Sequence, residues 1–486
     1  MKNKVTYFLN LIKKMPIGAK AAIVYTFASI LIKGFNVITI PVFTRIMSSS
    51  EIGIFYTFTS WYTLISIIAS LALTSGGINI ALVEYKVKRD EYQSSILTLT
   101  SIVAFIFFII FMLKPDYWSN ILNLDPILIF IMIAAFVLEP AKEIWLARQR
   151  YEYQYKNVFF FTIISTVFAT LMSFVVVIMG NYNHTNDLGI LRVCSTYMAF
   201  FAFDIILFFQ IIKRGKTFYN KTFWTFSLKL SLPLIIHGFS KSILDVSDRT
   251  MISKFCGNNA TGVYSTLYNL STLSLIIWNA INSSFIPYLF NKLKDSNSDI
   301  DKDISKTVNP LMSFYGVACI AVTLISPEII NLLTTPEYYK AIAIMPPVAA
   351  GIFLTCLYNL FGDVLTYYKK TLFIMISTLV AAGANIVLNY LCIPKFGYIA
   401  AAYTTLFSYV ILVCMQCIFM NLVANRRIYN LKFLCFMSCI TVFICLFCNV
   451  LYSFTILRYL IILLILLIII KFRKTIINLF QGIKNN

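Results

Sequence analysis

An all-α polytopic membrane protein is what this 486-residue sequence predicts, and three observations predict it. The chain is 59% hydrophobic and 12% charged, whereas a soluble chain of this length needs a more polar surface. Fourteen apolar stretches run through it. Each holds about 20 residues, enough for a helix to cross about 30 Å of hydrocarbon while satisfying its own backbone hydrogen bonds. Finally, lysine and arginine alternate between the two sides of these stretches: 29 fall in segments on one side and six on the other.

The stretches lie near 21–44, 55–83, 94–113, 126–146, 158–180, 190–212, 230–253, 262–286, 307–330, 342–366, 372–393, 398–424, 433–452 and 454–470. The basic side includes Lys86, Lys88 and Arg89, the segment 213–229, Lys292 to Lys306, and the tail from Lys471. The other side holds Arg45, Lys114, Lys254, Lys340, Lys395 and Arg458. Basic loops remain in the cytoplasm, which places both termini there. The net charge of +20 sits in short loops beside lipid. Anionic headgroups, rather than nucleic acid, are its expected partner.

Residues 1–20 do not read as a cleaved signal, because the apolar run that follows is too long for one. Val5, Phe8, Leu9 and Ile12 share a helical face flanked by Lys4, Lys13 and Lys14. The segment reads as an interfacial helix or as a plain basic tail. Most of the eleven cysteines lie within apolar stretches. Cys414-Met-Gln-Cys417 has no second pair and no nearby histidine, so buried thiols acting as small hydrophobes are expected, and no metal or other bound cofactor.

The chain also repeats itself. Residues 32–49 align without a gap on 236–253, with 7 of 18 identical, including Gly34/Gly238 and Arg45/Arg249. Leu188-Gly189-Ile190 and Phe396-Gly397-Tyr398 open the sixth and twelfth stretches in the same way. Two pseudo-symmetric six-helix lobes follow, at 21–212 and 230–424, joined by the linker 213–229 and extended by two C-terminal helices within 425–486. Both lobes begin on the same side, so the repeats are parallel, and the interface between such lobes is where transporters build a central cavity.

The seventh stretch carries the clearest chemistry. His237, Lys241, Asp245, Asp248 and Arg249 fall within an arc of about 120° at helical spacing. Charges cannot face lipid cheaply, so the stripe faces protein or water. Under the repeat, Lys33 pairs with His237. As a cavity wall, Lys33, His237, Lys241 and Arg249 are candidate ligands for an anionic substrate. Asp245, Asp248 and Asp204 are then candidates for ion coupling or a cavity network. As internal structure, Lys241–Asp245 and Asp245–Arg249 make i,i+4 ion pairs. Glu139, Lys142 and Glu143 sit near an inner helix end, where snorkelling explains them equally well. Asp204 has no cationic neighbour on its own helix.

With these residues in view, the chain resembles the Wzx-type polysaccharide flippases of the multidrug/oligosaccharidyl-lipid/polysaccharide (MOP) exporter superfamily. The resemblance covers about residues 15–425. It is carried by Tyr25 to Arg45 with Ser50-Glu-Ile-Gly-Ile-Phe55, and by Leu232-Pro233, His237, Asp248-Arg249-Thr-Met-Ile252 and Gly262-Val-Tyr264. Tyr367 to Thr371, Asn385-Ile-Val-Leu-Asn389 and Ile393-Pro394-Lys395-Phe-Gly397 extend it. The resemblance implies a non-enzymatic flippase of a bacterial inner membrane. It would turn an undecaprenyl-diphosphate-linked oligosaccharide, an O-antigen or capsule unit, to the outer leaflet, beside membrane lipids and glycan polymerase machinery. No P-loop is seen, so H+ or Na+ gradients or mass action are the expected drive. A drug or small-molecule antiporter of the same superfamily is the alternative, and a membrane glycan polymerase or ligase a distant one.

Overall fold

The computed structural model describes residues 17–74, 76–294, 300–425 and 427–471; residues 1–16 of the expected interfacial segment 1–20, and the tail from 472, lie outside them. The described residues form eighteen α-helices, one short 3-10 turn and no strand. Each of the fourteen apolar stretches is helical over most of its length. Ten helices are long and apolar enough to cross a membrane, or eleven if one bent pair counts as a single span. The stretch 230–253 is not among the ten, its four charges making it too polar by composition.

The first unit spans Met1–Ser242. It contains α1 (Ile17–Ile46), α2 (Ser49–Ala69), α3 (Gly76–Glu84), α4 (Arg89–Leu113), α5 (Pro115–Leu122), α6 (Pro126–Tyr151), α7 (Tyr155–Tyr182), α8 (Leu188–Gly215) and the start of α9 (Lys221–Ser271). Local sequence sets the helix ends. Ser48 caps α2 through a reciprocal box: its hydroxyl accepts from the Glu51 amide (3.3 Å) and Glu51 Oε2 accepts from the Ser48 amide (2.7 Å). Asp125 caps α6, accepting from the Ile127 amide at 2.9 Å, with Pro126 at the first helical position. The short helix α5 meets α6 at 91°. Its Trp118 indole donates to the Ile110 carbonyl at 3.1 Å.

The second apolar stretch is broken. After Ala69 the chain turns through Leu71 and Ala72, both left-handed (φ 50° and 49°), before α3 begins. Residues with a Cβ adopt that region only at a cost. Within this unit α8 packs against α2, α4, α6 and α7. Glycine permits the approach at both of its ends. A Cβ on Gly189 would sit 2.6 Å from the Glu51 carbonyl oxygen, and one on Gly215 would clash with the Asp90 carbonyl. Phe58, Tyr62, Phe136 and Tyr197 fill the space between α2, α6 and α8 with ring centroids 4.9–6.4 Å apart. The first turns of α9 belong here too: Ser227 bonds Tyr92 (2.7 Å) and the Trp224 indole donates to Ser95 Oγ (2.9 Å).

The second unit spans Ile243–Asn486. After the rest of α9 come α10 (Ser274–Lys294), α11 (Ile300–Leu324), α12 (Ser326–Leu333), α13 (Pro336–Tyr339), α14 (Met345–Tyr367), α15 (Thr371–Phe396), α16 (Ala400–Ala424), α17 (Leu431–Leu451) and α18 (Thr455–Lys471). Gly257 (φ 82°, ψ 174°) kinks α9 between the seventh and eighth stretches. The repeat is visible in packing: α14 and α15 both run along α16, as α6 and α7 run along α8. Eight-residue helices with proline in the first turn, α5 and α12, occupy corresponding places. The two C-terminal helices attach to this unit, α17 against α11 and α14, and α18 against α11. Arg458 on α18 pairs with Glu328 on α12, and Tyr452 donates to the Thr323 carbonyl at 3.0 Å. A buried polar chain ties three helices. Ser247 donates to Asn385 Oδ1 (3.1 Å), Asn389 donates to the same oxygen (3.0 Å), Asn385 donates to Thr405 (3.1 Å), and Thr404 donates to Asn389.

Candidate functional site

Lys33 lies on α1 and is exposed, beside a Gly34 whose missing side chain would meet open space. The charged stripe runs along α9 and crosses the division between the units. His237 and Lys241 belong to the first, Asp245, Asp248 and Arg249 to the second. Lys241 is exposed, and His237 and Asp245 are half-buried. His237 Nδ1 is buried with no hydrogen-bond partner among the described residues.

Asp248 departs from its expected place on an open wall. It is 1% exposed, and the Tyr264 hydroxyl donates to its Oδ2 at 2.5 Å while the Arg249 amide donates to its Oδ1 at 2.8 Å. The reason is the kink at Gly257, after which α9 continues and delivers Tyr264 to the carboxylate. Arg249 Nη2 donates to Asn269 Oδ1 at 3.1 Å, and its guanidinium lies 5.1 Å from the Tyr268 ring centre. Tyr268 neighbours Tyr264 (5.8 Å), and Tyr409 stacks with Tyr358 (6.4 Å, 6° between planes). Within the second unit the arginine therefore lies against Tyr268 and donates to Asn269. Tyr268, Tyr358 and Tyr409 were not singled out by sequence; they come from three helices, and no local spacing joins them.

Asp204 lies elsewhere, within the first unit. It is 2% exposed on α8. Lys142, Glu139 and Glu143 of α6 act on it electrostatically. Lys142 Nζ donates to Glu139 at 2.6 Å and lies 5.4 Å from the Phe200 ring centre. The cation missing from the helix of Asp204 is supplied across the α6–α8 contact. A cavity of about 380 Å³ adjoins this cluster, walled by Glu139, Glu143 and Pro140 of α6 and by Ser66, Ser70 and Thr74 at the broken second stretch. Among the described residues no group of three or more His, Cys, Asp or Glu is placed to hold a metal ion.

Comparison with known proteins gives this architecture its class. The structure superposes on the lipid II flippase MurJ in an inward closed conformation with a TM-score of 0.68, 16% identity, and coverage of 93% of this chain and 100% of that one. An inward-facing multidrug-resistance MATE transporter of the MOP superfamily matches with a TM-score of 0.56 at 9% identity, over 81% of this chain and 99% of that one. The fold is that of MOP-superfamily transporters. The sequence carries the assignment further. Residues 19–292 match the family model described as polysaccharide biosynthesis protein, and residues 233–391 match MatE. The chain belongs to the polysaccharide biosynthesis protein family. Among curated proteins, the probable low-salt glycan biosynthesis flippase Agl15 of Haloferax volcanii is 23% identical over 38% of either chain. An uncharacterised membrane protein of Methanocaldococcus jannaschii is 25% identical over 47% of either chain. The chain thus aligns with less than half the length of these relatives.

Proposed function

We propose that this protein is a flippase for an undecaprenyl-diphosphate-linked oligosaccharide, carried from the cytoplasmic to the outer leaflet of a bacterial inner membrane by alternating access and not by catalysis. The observation that carries this reading is the concentration of cations on α1 and α9, the opening helices of the two repeats: Lys33, Lys241 and Arg249, with His237 beside them. A diphosphate-sugar head cannot enter hydrocarbon unaided. Cations at the midplane of a two-repeat transporter neutralise the diphosphate, and the half-buried Asn269 offers an amide suited to sugar. Membership in a polysaccharide biosynthesis family and the named activity of the Haloferax relative support the same substrate class. The antiporter alternative has less support, since the family model over residues 19–292 is that of polysaccharide biosynthesis proteins. The basic-loop asymmetry supports cytoplasmic termini, and glycan polymerase machinery would receive the product.

The deciding experiment is export, measured beside protein abundance, in Lys241→Met/Asp245→Asn. If Lys241 binds the diphosphate, the double variant stays at normal abundance and exports nothing. If the two charges only balance each other, export returns and Lys241 is eliminated as a ligand. Arg249→Lys keeps the charge but loses the bidentate fork, so export falls without vanishing.

A further inference from the structure

The last quarter of the chain is charged in one sense only. From Val364 to Asn486 it holds eleven lysines and arginines and no aspartate or glutamate. Four of these cations, Lys369, Lys370, Arg427 and Lys432, lie where α14 and α16 finish and α17 begins, and all four are exposed. Anionic headgroups are drawn to cations placed this way beside a membrane.

The same three helices enclose an apolar groove of about 720 Å³. Its floor is α14, through Leu354, Leu357 and Phe361, and its walls are α16 and α17. The groove exists because α16 and α17, although consecutive, both pack on α14 and hardly touch each other. Interdigitating side chains normally close such a gap. Here the walls carry Cys414, Cys417, Cys435 and Cys439, side chains too short to bridge it. Cys414, Cys435 and Cys439 are the exposed cysteines of the chain, not the buried thiols the sequence suggests, and all three line this groove. Ser438, the one hydroxyl among the lining residues, donates to the Leu434 carbonyl at 2.6 Å. The walls therefore offer a ligand apolar contact and no strong hydrogen bond.

Length and position narrow the occupant. Along α17 the lining runs from Leu431 to Leu446, about 22 Å. Leu431 stands beside Lys432 at the headgroup level, so the remainder reaches about as deep as one leaflet, roughly 15 Å of hydrocarbon. The lining ends at Leu446, Val410 and Leu354, short of the opposite ends of all three helices. A lipid that changes leaflets needs a path serving both. This groove serves one, with the cations at its mouth.

We propose that the groove holds one acyl chain of an anionic glycerophospholipid resident in that leaflet, with its phosphate held by Arg427 and Lys432. The lipid fills the gap between α16 and α17 and seats α17 on α14. The site does not depend on the transport reading, and its occupant is a lipid of the bilayer that stays in place, not a transported substrate.

The test uses the full-length protein in phosphatidylcholine vesicles carrying a trace of lipid with a photoactivatable diazirine on one acyl chain. With a phosphatidylglycerol headgroup, illumination should label peptides covering 410–418 and 431–446 several-fold more than with phosphatidylcholine. Excess unlabelled phosphatidylglycerol should suppress that labelling, and undecaprenyl phosphate at the same concentration should not. Arg427→Gln/Lys432→Gln, at two exposed positions, should reduce the phosphatidylglycerol signal to the phosphatidylcholine level. Cys435→Phe, which fills the groove and leaves the mouth intact, should lower it several-fold by a separate route if the first variant does not accumulate. Equal labelling by the two headgroups in the wild type overturns the site, since the bilayer then merely coats the groove. So does labelling unmoved by loss of the two cations. Displacement by undecaprenyl phosphate more readily than by phosphatidylglycerol overturns the resident lipid and makes the groove a site for a prenyl tail.

Discussion

Asp204 in the first unit and Asp248 in the second are both carboxyl groups sealed inside apolar helix bundles, at 2% and 1% exposure. Their surroundings are opposite. Asp248 has a hydroxyl on one oxygen, a backbone amide on the other and an arginine next in sequence. Asp204 has an oxygen with no donor and shares a single lysine with two glutamates. The difference teaches how to read a buried charge. A carboxylate with a donor on each oxygen is fixed by its partners and cements its surroundings. A carboxyl with an oxygen left without a donor depends instead on the one lysine it shares.

The largest expected effect breaks the comparison outright. Asp248→Ala leaves the Tyr264 hydroxyl and Arg249 without their carboxylate, and truncating one partner of a buried pair costs about 3–5 kcal/mol. Yield and melting temperature in detergent should fall sharply. Asp204→Asn removes a carboxyl whose Oδ1 has no donor among the described residues, and its melting temperature should stay level or rise. A matched loss in both variants would erase the distinction. Tyr264→Phe sharpens it: Asp248 keeps its place but loses a donor, at about 1–3 kcal/mol. Its melting temperature should fall between those of the wild type and Asp248→Ala. The smallest effect is the control. Cys414 is exposed on α16, and Cys414→Ala should move stability by less than about 0.5 kcal/mol.

Hydropathy and loop charge made the helical, polytopic fold legible, because lipid leaves a crossing backbone no other economical choice. They did not show the break after Ala69, which lies within one apolar run, although at 29 residues (55–83) that run is longer than a crossing needs. The elbow between α5 and α6 escaped for the same reason: an eight-residue amphipathic helix carries too little apolar length to register. At the site, the spacing of the α9 stripe was readable, but the fate of each charge was not. Tyr264 seals Asp248 from sixteen residues away, through the turn at Gly257. Glu139, Lys142 and Glu143 read equally as snorkelling or as functional side chains, and only the α6–α8 contact brings Asp204 to them. Contacts between helices distant in sequence decide such roles, and the repeat in this chain reports related lobes without reporting which side chains each lobe turns inward.

The right angle between α5 and α6 also fixes a length. A 26-residue α6 is about 39 Å long, with Arg148 and Arg150 at one end and, at the other, a perpendicular helix bearing Tyr117 and Trp118. Aromatic and cationic groups of this kind anchor in the two headgroup layers. The elbow prevents α6 from tilting to suit a thinner bilayer without lifting α5 out of its layer, so the lipid must deform instead. The elbow therefore predicts that transport in vesicles changes with the acyl-chain length of the lipids.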